Sequence, residues 1–79
     1  MTPCYELDID TRRIILALLS KAAELDLGNV SFSYYRDSVD FYLVEYKTGW
    51  ELVVSQERTR RDVYSIVDGE IVYRYSESD

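Results

Sequence analysis

The sequence predicts an α+β fold: one N-terminal amphipathic helix packed on a four- to five-stranded antiparallel β-sheet, a meander of hairpins. Three observations carry this. The apolar residues between positions 11 and 27 recur at helical spacing and stop at a glycine. From position 29 the period changes to two, in runs rich in Val, Ile, Tyr and Phe. Short turn signals separate those runs, Asp68-Gly69 being the clearest.

A chain of 79 residues reads as a single domain, 1–79, because this length supports one core. The core needs no covalent help, since 47% of the residues are hydrophobic and 14% aromatic. Cys4 is the one cysteine, so no disulfide forms within the chain, which fits a reducing compartment. No apolar run approaches the roughly 18 residues of a membrane span. The opening "MTPCYELDID" is acidic where a secretory signal is basic and then apolar. The expectation is a soluble, cytoplasmic protein with no membrane partner.

The helix is expected over 11–27. Asp10 stands where an N-cap carboxylate would accept from free N–H groups of the first turn. Ile9 and Ile14 have the spacing of a hydrophobic staple, and Gly28 is placed to end the helix in the left-handed conformation. Ile14, Ile15, Leu18, Leu19, Ala22 and Leu25 fill one arc, which Leu16, Ala23 and Leu27 widen to about 220°. One sheet face does not readily cover so broad an apolar surface. Arg13, Ala17, Ser20, Lys21 and Glu24 make the solvent stripe.

Strands are expected at about 29–35, 39–46, 50–56, 62–67 and 70–75, with "SESD" (76–79) as a mobile acidic tail. "CYELDI" also alternates and can supply a short extra strand before the helix. A three-residue loop Lys47-Thr48-Gly49, with Gly49 left-handed, would pair Tyr46 with Trp50. That register sets Tyr42, Val44 and Tyr46 with Trp50, Leu52 and Val54 under the helix. It sets Phe41, Leu43 and Val53 on the opposite face, and it opposes Glu45 to Glu51, a like-charge pair. Asp68-Gly69 should form a type I′ turn, placing Tyr64, Ile66, Ile71 and Tyr73 on one face and Val63, Val67 and Val72 on the other.

The segment "SFSYYRDSVDFYLVEYKTGWELVV" concentrates the aromatic rings. Most of them suit the helix-covered face, because tyrosine buries a large area and keeps its hydroxyl at the wet edge. A second apolar set then has nothing in the chain to cover it, and such surfaces mark interfaces. Leu16, Ala23, Leu43, Val53, Val63, Val67 and Val72 are the candidates for self-association.

Catalytic machinery is not legible. The chain has no histidine, so acid–base chemistry would fall to carboxylates, tyrosine or lysine. Asp8/Asp10, Asp37/Asp40 and Glu45/Glu51 are acid pairs expected by chance in a chain this acidic. Cys4 has no histidine to activate it. There is no zinc spacing, calcium loop or phosphate loop. No catalytic, cofactor or metal residue is assigned, and the chain is read as not an enzyme.

Fifteen acidic against nine basic residues give a net charge of −6, which disfavours nucleic acid and suits a protein partner with a basic surface. Small size, acidity and uncovered apolar surface together suggest a non-catalytic module that binds a partner protein stoichiometrically. Inhibitors, immunity or anti-defence proteins of the kind viruses and mobile elements encode, and adaptors, work in this way. Tyr35, Arg36, Asp37, Asp40, Phe41, Glu45, Glu51, Arg58, Arg60 and Arg61 are the candidate contacts, with arginines favoured at interface hot spots. Glu57 and Asp62 flank the arginine cluster and can pair with it locally. A homo-oligomer, a homodimer first, is the alternative. Single-strand nucleic-acid binding through tyrosines and the arginine loop is the third reading.

Overall fold

In a computed structural model of the chain, the structure describes residues 6–34, 38–56 and 59–78. One helix, α1 (Ile9–Glu24), precedes five strands: β1 (Asn29–Tyr34), β2 (Val39–Tyr46), β3 (Gly49–Gln56), β4 (Arg60–Val67) and β5 (Glu70–Ser78). The strands pair antiparallel in chain order, β1-β2-β3-β4-β5, as an open meander. The helix lies on one face, so the predicted α+β architecture is the one observed.

The helix ends differ from the expected ones. Asp8, not Asp10, is the N-cap, and its carboxylate accepts from the Thr11 N–H at 2.7 Å. Asp10 falls in the first turn, where its charge faces the positive end of the helix dipole. The expected Ile9–Ile14 staple is absent, for both side chains are exposed, and Leu7 enters the core ahead of the cap. Arg12 Nε reaches back to the Leu7 carbonyl at 2.9 Å. At the other end Leu25 is the C-cap, and Asp26 takes the left-handed conformation (φ 56°) expected of Gly28. Leu27 N–H bonds to the Ala22 carbonyl at 2.8 Å and Asp26 N–H to Ala23 at 3.3 Å, a Schellman ending. Gly28 instead begins the sheet, its carbonyl accepting from the Glu45 N–H at 2.9 Å.

Thr11, Ile15 and Ala22 form the buried stripe of α1, with Leu18 and Leu19 half-buried beside it. This stripe is narrower than the apolar arc of the sequence. Ile14, Leu25 and Leu27 remain exposed.

The core joins Leu7 and Ile15 to Val39, Phe41, Leu43, Leu52, Val54 and Tyr64. Phe32 stacks on Phe41, ring centroids 4.6 Å apart, and Tyr64 meets Tyr73 edge-on at 5.6 Å. The β2 face assignment is therefore corrected. Phe41 and Leu43 are both 0% exposed under the helix, while Tyr42 and Tyr46 point the other way. The cause is a one-residue change at the hairpin. Tyr46 pairs with Gly49 and Glu45 with Trp50 across a two-residue Lys47-Thr48 turn, and Gly49 takes its positive φ (128°) as the first residue of β3. A slip of one residue moves a whole strand's side chains to the other face. It also removes the expected Glu45–Glu51 opposition, since Glu51 pairs with Val44.

The Asp68-Gly69 hairpin forms as expected, with φ of 51° and 78° at its two turn residues, as a type I′ turn requires. Tyr64, Ile66, Ile71 and Tyr73 share the helix side. Residues 76–78 belong to β5 and not to a free tail, being paired with β4. Residues 6–8 lead directly into the helix and form no strand, and Cys4 and Tyr5 lie outside the described residues.

Candidate interaction surface

The face of the sheet turned away from α1 is built from three cross-strand rows. The central row runs Ser31, Tyr42, Val53, Val63 and Tyr75 across β1 to β5. One flank is Ser33, Asp40, Ser55, Arg61 and Glu77. The other is Asn29, Val44, Glu51, Ser65 and Val72. A β-bulge sets Val63 opposite Tyr75 and Tyr64 opposite Tyr73, leaving Arg74 as the extra residue. The bulge gives Tyr73 to the helix side and Tyr75 to the open side.

Tyr42 is 45% exposed and Tyr75 49%, on either side of the two valines in the row. Tyr46, Val67 and Val72 extend the exposed apolar area. Among the described residues no helix or strand lies over this face. Two open hollows border the central row. One, about 410 Å³, is lined by Tyr46, Gly49, Glu51, Ser65, Val67, Arg74 and Tyr75. The other, about 440 Å³, includes Asp40, Tyr42, Ser55, Arg61 and Glu77.

The charges on this face alternate in sign. Arg61 pairs with Glu77 at 3.5 Å, both more than half exposed. Asp40 accepts from the Ser33 hydroxyl. Glu51 and Arg74 have no ion-pair partner among the described residues.

The candidate residues from the sequence divide accordingly. Asp40, Glu51, Arg61, Val53, Val63, Val67 and Val72 come together on the open face. Val63 is buried there among its neighbours, and Glu51 and Val53 are half-buried. Phe41 and Leu43 are removed as contact candidates, because the helix covers them. Glu45 is exposed on the helix side at the end of β2. Arg60 is also on the helix side, and its Nε binds the fully buried Asp62 carboxylate at 3.0 Å. Leu16 and Ala23 are on the helix, half-buried and exposed respectively, away from the sheet rows. Tyr35, Arg36, Asp37 and Arg58 lie outside the described residues.

Tyr42, Tyr46, Tyr75 and Arg74 were not among the predicted contacts. A signal for the first two was present: Phe41 and Leu43 carry no hydroxyl, so burial favours them over Tyr42 and Tyr46. Tyr75 and Arg74 depend on the bulge, which breaks the period-two pattern without a glycine to announce it.

Among the described residues no group of three or more His, Cys, Asp or Glu side chains could hold a metal ion, and no helix is long and apolar enough to cross a membrane. Comparison of the chain with protein-family models, with curated proteins and with solved structures gave no match.

Proposed function

We propose that this chain is a non-catalytic protein-binding module that engages a partner protein stoichiometrically through the open face of its sheet. The observation that carries the reading is the pair of half-exposed tyrosines, Tyr42 and Tyr75, flanking Val53 and the buried Val63 on a face with no described element over it. Exposed apolar side chains with a polar rim are interface features, and tyrosine is enriched at such surfaces because it brings area and a hydroxyl at low rotamer cost. The rim carries the carboxylates of Asp40, Glu51, Glu70 and Glu77. With the net charge of −6, these would steer a partner with a basic surface and make binding salt-sensitive. Inhibitors, immunity or anti-defence proteins and adaptors need only such a surface.

The test compares the tagged chain with its Tyr42→Ser/Tyr75→Ser variant in capture from source-cell lysate, with stepped salt elution. Both tyrosines are about half exposed, so the variant should keep its fold, which circular dichroism checks. The expected result is one protein captured near stoichiometrically by the wild type, released by salt and lost by the variant. Capture that is equal for both chains would place the contact elsewhere and overturn the reading. So would a wild type that captures no protein and shows no self-association.

A further inference from the structure

We infer that the outer edge of β1 is a pairing edge, occupied by β1 of a second copy of the chain, antiparallel, about a twofold axis perpendicular to the sheet. The two edges of the sheet differ. β5 carries Glu70, Arg74 and Glu77 and the bulge at Val63/Tyr64, and charges and bulges keep an edge from pairing. β1 (NVSFSY) has no charge and no proline, and its register with β2 is unbroken from Asn29 to Tyr34. Among the described residues no strand lies on its outer side.

One hydrogen bond fixes which groups of β1 face outward. The Glu45 N–H donates to the Gly28 carbonyl at 2.9 Å, one step beyond the Asn29–Val44 pair. Alternate residues of an antiparallel ladder bond to the same neighbour. Val30 and Phe32 therefore turn their backbone groups to β2, and Asn29, Ser31 and Ser33 turn theirs outward. That outward set is centred on Ser31, so it is complementary to itself. With Ser31 on Ser31 of the second copy, Asn29 lies on Ser33 of the second copy. Each outward N–H and C=O then gains a partner, about six backbone hydrogen bonds in all. The same register opposes Val30 to Phe32 of the second copy on the helix side, an aromatic and β-branched pair, and both side chains are half-buried in the single chain. A slip of one residue would set helix-side positions against open-side ones. A slip of two would leave one end of the outward set beyond the facing strand. A charged edge selects a partner of opposite charge. This edge offers only backbone and apolar contact, and the chain's own β1 matches it in length and hydrogen-bond phase without opposing like charges. The twofold keeps both open faces on one side, so Tyr42 and Tyr75 of each copy stay available to a partner protein. The inference goes beyond the open-face reading and does not depend on it.

The experiment is sedimentation equilibrium on the full 79-residue chain and on its Ser31→Ala, Ser31→Pro and Ser31→Glu variants, with residue-resolved amide hydrogen exchange. Ser31 is exposed and its N–H faces away from β2, so proline there removes the donor at the axis and spares the β1–β2 ladder. Glutamate sets two carboxylates on each other at the axis, and alanine keeps the backbone unchanged. The wild type and Ser31→Ala should be dimers at micromolar concentration. The dissociation constants of Ser31→Pro and Ser31→Glu should rise about tenfold or more. In the wild-type dimer the amides of Asn29, Ser31 and Ser33 should exchange as slowly as those of Val30 and Phe32. In dissociated Ser31→Glu the amides at positions 29, 31 and 33 should become fast, while those of Val30 and Phe32 stay slow. Monomeric wild type overturns the inference, and so does a β1 edge protected only in the complex with a captured partner. A dimer that proline and glutamate both leave intact, or one whose Asn29, Ser31 and Ser33 amides exchange fast, overturns the β1 edge as its contact. Circular dichroism separates lost association from lost fold. Each of these failures leaves the open-face reading to its own capture test with Tyr42 and Tyr75.

Discussion

Asp62 shows most sharply how one residue is decided by distant ones. It is 0% exposed, yet its neighbours answer its charge. Arg60 Nε donates at 3.0 Å, Gln56 Nε2 at 2.8 Å and the Ser76 hydroxyl at 2.6 Å, while the Ser76 and Tyr73 hydroxyls are 2.6 Å apart. Gln56 and Arg60 bracket the β3–β4 turn, and Ser76 arrives from β5, so one carboxylate ties three strands at the end of the sheet. A buried carboxylate is tolerable only when paired and hydrogen-bonded in this way. Asp62→Ala removes the buried carboxylate that Arg60, Gln56 and Ser76 all donate to, and should destabilise the protein by about 3–5 kcal/mol in urea unfolding. A loss below about 1 kcal/mol would contradict a structural role for the network. The sequence showed that Asp62 could pair with an adjacent arginine. It did not show the burial, because an Asp in a period-two run reads as solvent-facing and the role of Ser76 depends on the fold.

At the level of the elements, turn chemistry was legible where two residues are both special, and misled where one was. Asp68-Gly69 fixed its hairpin and the faces of β4 and β5 down to the bulge. Lys47-Thr48-Gly49 left two loop lengths open, and the longer one inverted β2. The choice between Phe41/Leu43 and Tyr42/Tyr46 for the core rested on that single residue of register. The helix start was ambiguous for a similar reason, since Asp8 and Asp10 are both capping residues and only the burial of Thr11 and Leu7 separates them. The Asp8 carboxyl is held below its ordinary range mainly by the Thr11 N–H, with the Thr11 side chain adding to it. A pKa lowered on folding contributes stability that is present above the ordinary value, about 3.9, and is lost as pH falls through the lowered one. Asp8→Ala should therefore melt at a lower temperature than wild type at pH 7. The gap should narrow as the pH falls below the ordinary carboxylate value and through the lowered one. A gap that stays constant from neutral to acid pH would contradict the cap.

For the molecule as a whole, the decisive fact is one of coverage. A single helix offers a stripe of Thr11, Ile15 and Ala22, with Leu18 and Leu19 beside it, to one face of a five-stranded sheet. The other face keeps Tyr42 and Tyr75 half exposed, with no described helix or strand over it. That imbalance was visible in the sequence as two apolar sets for one helix, although the members of the β2 set were exchanged. The charges that flank the open face were not legible, because they depend on register and on the bulge at Arg74. Hydroxyl-radical footprinting of the tyrosines asks whether the open face is the interface, on the chain across a concentration series and on its complex with a captured partner. Tyr42 and Tyr75 should be reactive in the free chain and protected in the complex, while Tyr64, 5% exposed beneath the helix, stays unreactive throughout. If Tyr42 and Tyr75 are equally reactive at every concentration, and still reactive in the complex with a captured partner, the open face is not the interface.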